Sequence, residues 1–198
     1  MPQMMKTATE TMPVIDERLR KAATVAAATL LIAACAHVAF PLWFTPVPVT
    51  LQPFAVLLLG LLMTPGMAAT TMGLYLAEGA MGMPVFTPHG LGGVAQLLGP
   101  TGGYLMSYPV VAPLVSWLWR MGSRGFARTL AITTAGSLVT LGLGALWMGT
   151  LTHASMALLV SHAVIPFLPG DAVKVVVAAT LACSWQRARL SPNSARDK

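Results

Sequence analysis

Three ionisable side chains stand inside or at the end of long apolar stretches: Glu78, Asp171 and Lys174. An ionisable group at membrane depth is costly, so each is a candidate for function. Asp171 and Lys174 are three residues apart, which on a helix puts them on one face and within reach of each other. Pro169 and Gly170 precede them and suit a helix start, where the helix dipole favours a carboxylate. Position alone allows two readings: a self-satisfied ion pair that anchors the helix near a surface, or an acceptor and a cation that face a pocket. Glu78 closes an apolar run, where water can reach it. Gln52 follows a proline-rich stretch at a helix start, where it either caps its own helix or bonds a ligand.

Other familiar chemistry is missing. GPTGGY (99–104) is glycine-rich and opens a helix, but it has no Lys-Ser/Thr and follows no strand, so close backbone approach explains it better than phosphate binding. His37, His89, His153 and His162 have no metal-ligand spacing, and neither HExxH nor a Ser-His-Asp pattern occurs. Cys35 and Cys183, the two cysteines, lie in apolar runs and read as helix packing. No metal site and no cofactor are expected.

The elements that must position these residues are set by composition. Of 198 residues, 56% are apolar and 9% charged, with a mean hydropathy of +0.71. A soluble domain carries about 25% charged residues. The chain therefore cannot clothe a water-facing surface. A soluble enzyme, a disordered chain and a nucleic-acid-binding domain are excluded despite a net charge of +6. What remains is an all-α membrane protein forming one bundle.

The expected spans cover about residues 22–40, 50–63, 67–80, 102–119, 129–149 and 170–186. A polar tail (1–21) precedes them and a basic tail (187–198) follows. The stretch 41–50 holds three prolines and cannot be a helix interior. Residues 81–101 hold five glycines and three prolines with hardly a charge, as expected of a loop folded against the bundle to line a cavity. Residues 150–169 read as a short helix broken at Pro166 and Pro169. Ile32-Ala33-Ala34-Cys35 loosely imitates a lipoprotein signal, but the long acidic leading segment favours an uncleaved first helix.

With six spans, the two tails and segments 64–66 and 120–128 share a side. Arg18, Arg20, Lys21, Arg120, Arg124, Arg128, Arg187, Arg189, Arg196 and Lys198 all fall there, whereas 41–50, 81–101 and 150–169 carry no Lys or Arg. Both termini are thus expected in the cytoplasm, with an outward-facing site under three loops. In the first span, Ala22 and Ala26, and Ala23 and Ala27, are four apart. Small residues so spaced make a flat helix face, for internal packing or for docking a partner.

PVPVTLQ (46–52), GMPVF (82–86), GPTGGY (99–104) and PFLPGDAVK (166–174), in that order, resemble the signature blocks of the BioY family over roughly residues 20–186. BioY proteins are the biotin-specific substrate-binding (S) components of energy-coupling factor (ECF) transporters. The resemblance implies a multi-pass protein of a prokaryotic cytoplasmic membrane that binds biotin and takes it up. It implies as partners a transmembrane coupling subunit and two ATPases, with uptake in some members independent of that module. It also lifts Ala22, Ala23, Ala26 and Ala27 as a docking face. Asp171 and Lys174 fall in a matched block. Gln52, Tyr104 and Phe86 lie in or beside one, as possible contacts to biotin's polar groups and apolar body. Glu78 is carried as a candidate on its charge alone. Three other readings stay open: an S component for another vitamin, an intramembrane enzyme using Asp171 with His153 or His162, and a structural subunit. Absent catalytic spacing weighs against the enzyme, and the broken loops weigh against a plain scaffold.

Overall fold

The computed structural model describes residues 12–190, almost wholly helical. The tails expected at 1–21 and 187–198 lie in large part outside these residues; within them, helix α1 already starts at Met12 and α8 runs to Leu190. Among the described residues, three stretches are long and apolar enough to cross a membrane: Glu17–His37, Phe126–Thr152 and Met156–Arg189.

Helix α1 (Met12–His37) buries Ala28, Ile32, Cys35 and Ala36, a stripe with the spacing of one helix face. A short antiparallel hairpin follows, β1 (Ala39–Phe40) against β2 (Val49–Thr50), with Ala39 opposite Thr50. The prolines at 41, 46 and 48 forbid a helix between them, so the chain turns back over the bundle. Helix α2 (Gln52–Leu62) starts with Pro53 in its first turn, where a missing N–H costs nothing. At 11 residues it is about 16 Å long, half the thickness of a bilayer core.

The turn into α3 (Pro65–Ala80) is as tight as its Thr-Pro-Gly sequence requires. Thr64 caps α3 by accepting from the Met67 N–H at 3.4 Å. Segment 81–101 is not all loop: α4 (Gly93–Leu98) forms inside it. Helix α5 (Gly102–Arg120) runs unbroken through Pro109 and Pro113. It packs against α2, α3 and α6 together, and such neighbours let a buried helix tolerate proline. Tyr108, Val111, Ala112, Val115 and Trp119 carry that contact.

Helix α6 (Phe126–Thr152) is longer at both ends than the apolar run indicates and stops at His153, whose left-handed conformation (φ 51°) ends it. Helix α7 (Met156–Ala163), a 3-10 turn (Ile165–Phe167) and α8 (Leu168–Leu190) follow. Pro166 breaks the helix as expected, but Pro169 does not: it stands in the first turn of α8, where proline is accommodated.

The Met63 carbonyl at the end of α2 accepts from Ser116 Oγ at 2.6 Å and from Arg120 Nη2 at 2.9 Å. These bonds fix the 63–65 turn and the end of α5 at one end of the bundle. Arg124 lies over the Trp119 ring at the same end.

Candidate ligand-binding cavity

At the other end of the bundle a cavity opens between helices. Gln52 and Pro53 of α2, Tyr104, Leu105 and Tyr108 of α5, Thr140 and Leu141 of α6, and Asp171 and Lys174 of α8 line it, with Phe167 beside them. Val47, Pro48 and Thr50 of the hairpin and Thr87 and Gln96 of segment 81–101 close its top. The cavity volume is about 40 Å³, well below the about 300–1,000 Å³ of a site that encloses a small molecule. The interior is therefore tight, and side chains or loops must part to enclose a ligand. An outer chamber shares Pro48, Thr87, Gln96 and Thr101 with the cavity and continues past His89 and Gly90.

Asp171 and Lys174 are 5% and 7% exposed, and Lys174 Nζ donates to Asp171 Oδ1 at 2.8 Å. The other carboxylate oxygen, Oδ2, accepts from Ser137 Oγ at 2.6 Å. A carboxylate has about four lone-pair sites, so each oxygen keeps room for a further donor. The cavity thus holds a buried charged pair whose members bond each other, with acceptor sites on Asp171 and donor sites on Lys174 still to be used.

Gln52 belongs to a second polar cluster. Its Nε2 donates to Tyr75 Oη at 2.6 Å, its Oε1 accepts from Thr50 Oγ1 at 3.1 Å, and Tyr75 passes its own proton to the Val85 carbonyl at 2.9 Å. One Gln52 N–H is left for the cavity. Tyr104 faces the cavity as a ring, because its hydroxyl proton goes to the Ala163 carbonyl at 2.7 Å. The Tyr104 ring sits where a methyl group on Gly144 would lie, so only glycine at that point of α6 lets it in.

Phe86 and Glu78 stand apart from these lining residues. Phe86 packs edge-on against Tyr75 and over Gly79, one layer behind the cavity. Glu78 faces α1, where its Oε1 accepts from Thr29 Oγ1 at 3.3 Å. His153 and His162 also lie outside the lining, with the His162 ring against Phe44.

Several lining groups escape inspection of the sequence. Thr87 Oγ1 is buried and has no hydrogen-bond partner among the described residues. Tyr108 is 2% exposed, lines the cavity, and its hydroxyl is in no hydrogen bond among the described residues. Thr140 lines the cavity while its hydroxyl donates to the Gly136 carbonyl at 3.2 Å. A threonine or tyrosine inside an apolar run carries no signal of this kind until the helices are placed.

Ala22, Ala23, Ala26 and Ala27 are exposed on α1, on the side away from its buried stripe. Among the described residues nothing covers the face they form.

The sequence model of the BioY family matches residues 4–191. A probable biotin transporter BioY from Pyrococcus horikoshii is 36% identical over 69% of this chain and 79% of its own length. The biotin transporter BioY of Thermotoga maritima is 35% identical over 78% and 88% respectively. Among solved structures, the S-component for biotin from an ECF-type ABC transporter superposes with a TM-score of 0.79. It covers 87% of this chain and 93% of that one at 24% identity, which speaks for the shared fold.

Proposed function

The chain belongs to the BioY family, and from that premise we propose that it is a biotin-binding membrane transport component. The observation that carries this is the buried Asp171–Lys174 pair facing a cavity at the loop end of the bundle. Its relatives bear the name of biotin transporters, and the pair matches one edge of biotin's ureido ring. That edge sets an N–H donor beside a carbonyl acceptor. Asp171 accepts from the N–H, and Lys174 donates to the carbonyl.

The rest of the lining has corresponding work. Gln52 offers its spare N–H, Thr87 a hydroxyl with no partner among the described residues, and Tyr108 a hydroxyl at the cavity. The rings of Tyr104 and Phe167 and the side chains of Val47 and Leu141 pack on the thiophane and valerate carbons. Phe86 and Glu78 act behind this layer. A ligand that leaves these buried polar groups unpaired is rejected, which is the source of selectivity against other vitamins. No chemical step and no cofactor enter: the ligand is carried unchanged.

In this reading α1, α2, α3, α5, α6 and α8 cross the cytoplasmic membrane of a prokaryote, and residues 22–186 form the membrane domain. The Lys and Arg asymmetry supports a cytoplasmic side for both termini and the Arg120 end, and with it a cavity that opens outward under its three loops. Short α2 leaves room above it for the hairpin, which supports an opening on that side. The partners this reading implies for uptake are a transmembrane coupling subunit and two ATPases. The exposed Ala22, Ala23, Ala26 and Ala27 are the docking face, because small side chains let a partner helix approach closely.

Equilibrium binding of radiolabelled biotin to the detergent-purified chain tests the reading, with Asp171→Asn as the control. Saturable binding that the variant loses is the expected result. No binding by folded protein, or displacement by a different vitamin, overturns it. Uptake in cells with and without the ATPase module decides how transport is powered.

A further inference from the structure

We propose that Ser137 is a positioning residue for the ligand: it holds the Asp171 carboxylate from the neighbouring helix without itself lining the cavity. The inference rests on the assignment of Asp171 to biotin recognition. The threonines around Ser137 on α6 make their shorter bonds within their own helix: Thr133 donates to the Thr129 carbonyl at 3.0 Å, with the Val175 carbonyl of α8 farther off at 3.5 Å, and Thr140 donates to the Gly136 carbonyl at 3.2 Å. That local bond is what Ser and Thr in a helix ordinarily make. Ser137 departs from it. Its Oγ is 4% exposed with the rest of the residue and crosses to α8, donating to Asp171 Oδ2 at 2.6 Å, its one hydrogen bond among the described residues.

The consequence is geometric. Lys174 lies one helical turn along the same helix as Asp171 and moves with it, so the Lys174 bond alone fixes no orientation relative to α6. The Ser137 bond does. Two donors, one on each oxygen, set the plane of the carboxylate and so the direction of its remaining lone pairs. A hydroxyl donating to a charged acceptor in a dry setting is worth more than a neutral bond. Loss of Ser137 therefore frees the carboxylate to turn toward Lys174 and away from the ligand.

The test measures radiolabelled biotin binding to the full detergent-purified chain for wild type, Ser137→Ala, Ser137→Thr, Asp171→Asn and the Ser137→Ala/Asp171→Asn double variant. Thr133→Val serves as a control from the same face. The carboxylate stretching band that disappears in Asp171→Asn is followed in parallel by infrared spectroscopy, without ligand. We expect Ser137→Ala to weaken binding about 10- to 100-fold, Ser137→Thr to restore it, and Thr133→Val to leave it unchanged. The double variant should bind no worse than Asp171→Asn alone, and the band should shift in Ser137→Ala and return in Ser137→Thr. Normal binding by Ser137→Ala, additive losses in the double variant, or an unmoved band each overturn the proposal. Failure of wild type to bind biotin while the band still shifts overturns the ligand assignment and leaves the hold on Asp171 supported.

Discussion

Gln52 and Asp171 face the same cavity from different helices, and the clusters behind them are built on opposite lines. The Gln52 cluster is neutral and linear: Thr50 to Gln52, Gln52 to Tyr75, Tyr75 to the Val85 carbonyl. It ties α2, α3 and segment 81–92 together, and most of its hydrogen-bonding capacity is used in doing so. The Asp171 cluster is charged and compact, ties α8 to α6, and keeps acceptor sites free. A neutral relay buried in an apolar bundle is suited to fixing the fold, because each partner compensates the other's desolvation. A charged pair there costs more to bury and adds little net stability. Its presence at the cavity is better explained by what it can bind.

That contrast breaks apart experimentally. The largest expected effect is that of Asp171→Asn, about 100-fold or more in biotin affinity, because it removes the acceptor charge and leaves Lys174 buried without its counter-charge. Lys174→Met should follow, at roughly 10- to 100-fold in the same binding assay, since a buried carboxylate then keeps only Ser137. Tyr75→Phe should behave in the opposite way. It strands the Val85 carbonyl and a Gln52 N–H, so unfolding in detergent should show a loss of about 1–3 kcal/mol, while affinity changes by less than about threefold. If Tyr75→Phe damages binding more than stability, the division of labour between the clusters is wrong.

Gly144→Ala sharpens the comparison from a third side. A methyl group there displaces the Tyr104 ring, and overpacking of this kind costs about 1–3 kcal/mol. A lowered melting temperature with a modest loss of affinity is expected. Last, Ala23→Leu and Ala27→Leu should leave biotin binding as in wild type and reduce uptake in cells that express the coupling module. Unimpaired uptake removes the docking face from the argument.

Asp171 and Lys174 were legible because charge is rare in this chain and their spacing of three on a helix forces them together. Gln52 and Tyr104 were found through their places beside recognisable motifs, yet the hydroxyl of Tyr104 proves committed to Ala163. Phe86 sits in a matched motif, but its ring turns to Tyr75 and Gly79. Ser137, Thr87 and Tyr108 were invisible, since isolated polar residues in apolar helices occur wherever a helix satisfies itself. The unbroken course of α5 through two prolines and the helix inside 81–101 were also beyond local rules, which see the proline and the glycines but not the neighbours that support the chain.

The sequence by itself determined that the chain is too apolar to clothe a water-facing surface, the rough extent of its apolar segments and the pair most worth testing. Those follow from composition and from spacings within one helix. Only the tertiary structure decided which hydroxyl meets which carboxylate, which rings reach the cavity and which carbonyls absorb a donor. The reason is physical: hydrogen-bond choice depends on atoms within about 3 Å, and in this bundle those atoms come from residues as distant along the chain as Ser137 and Asp171, or Tyr104 and Ala163.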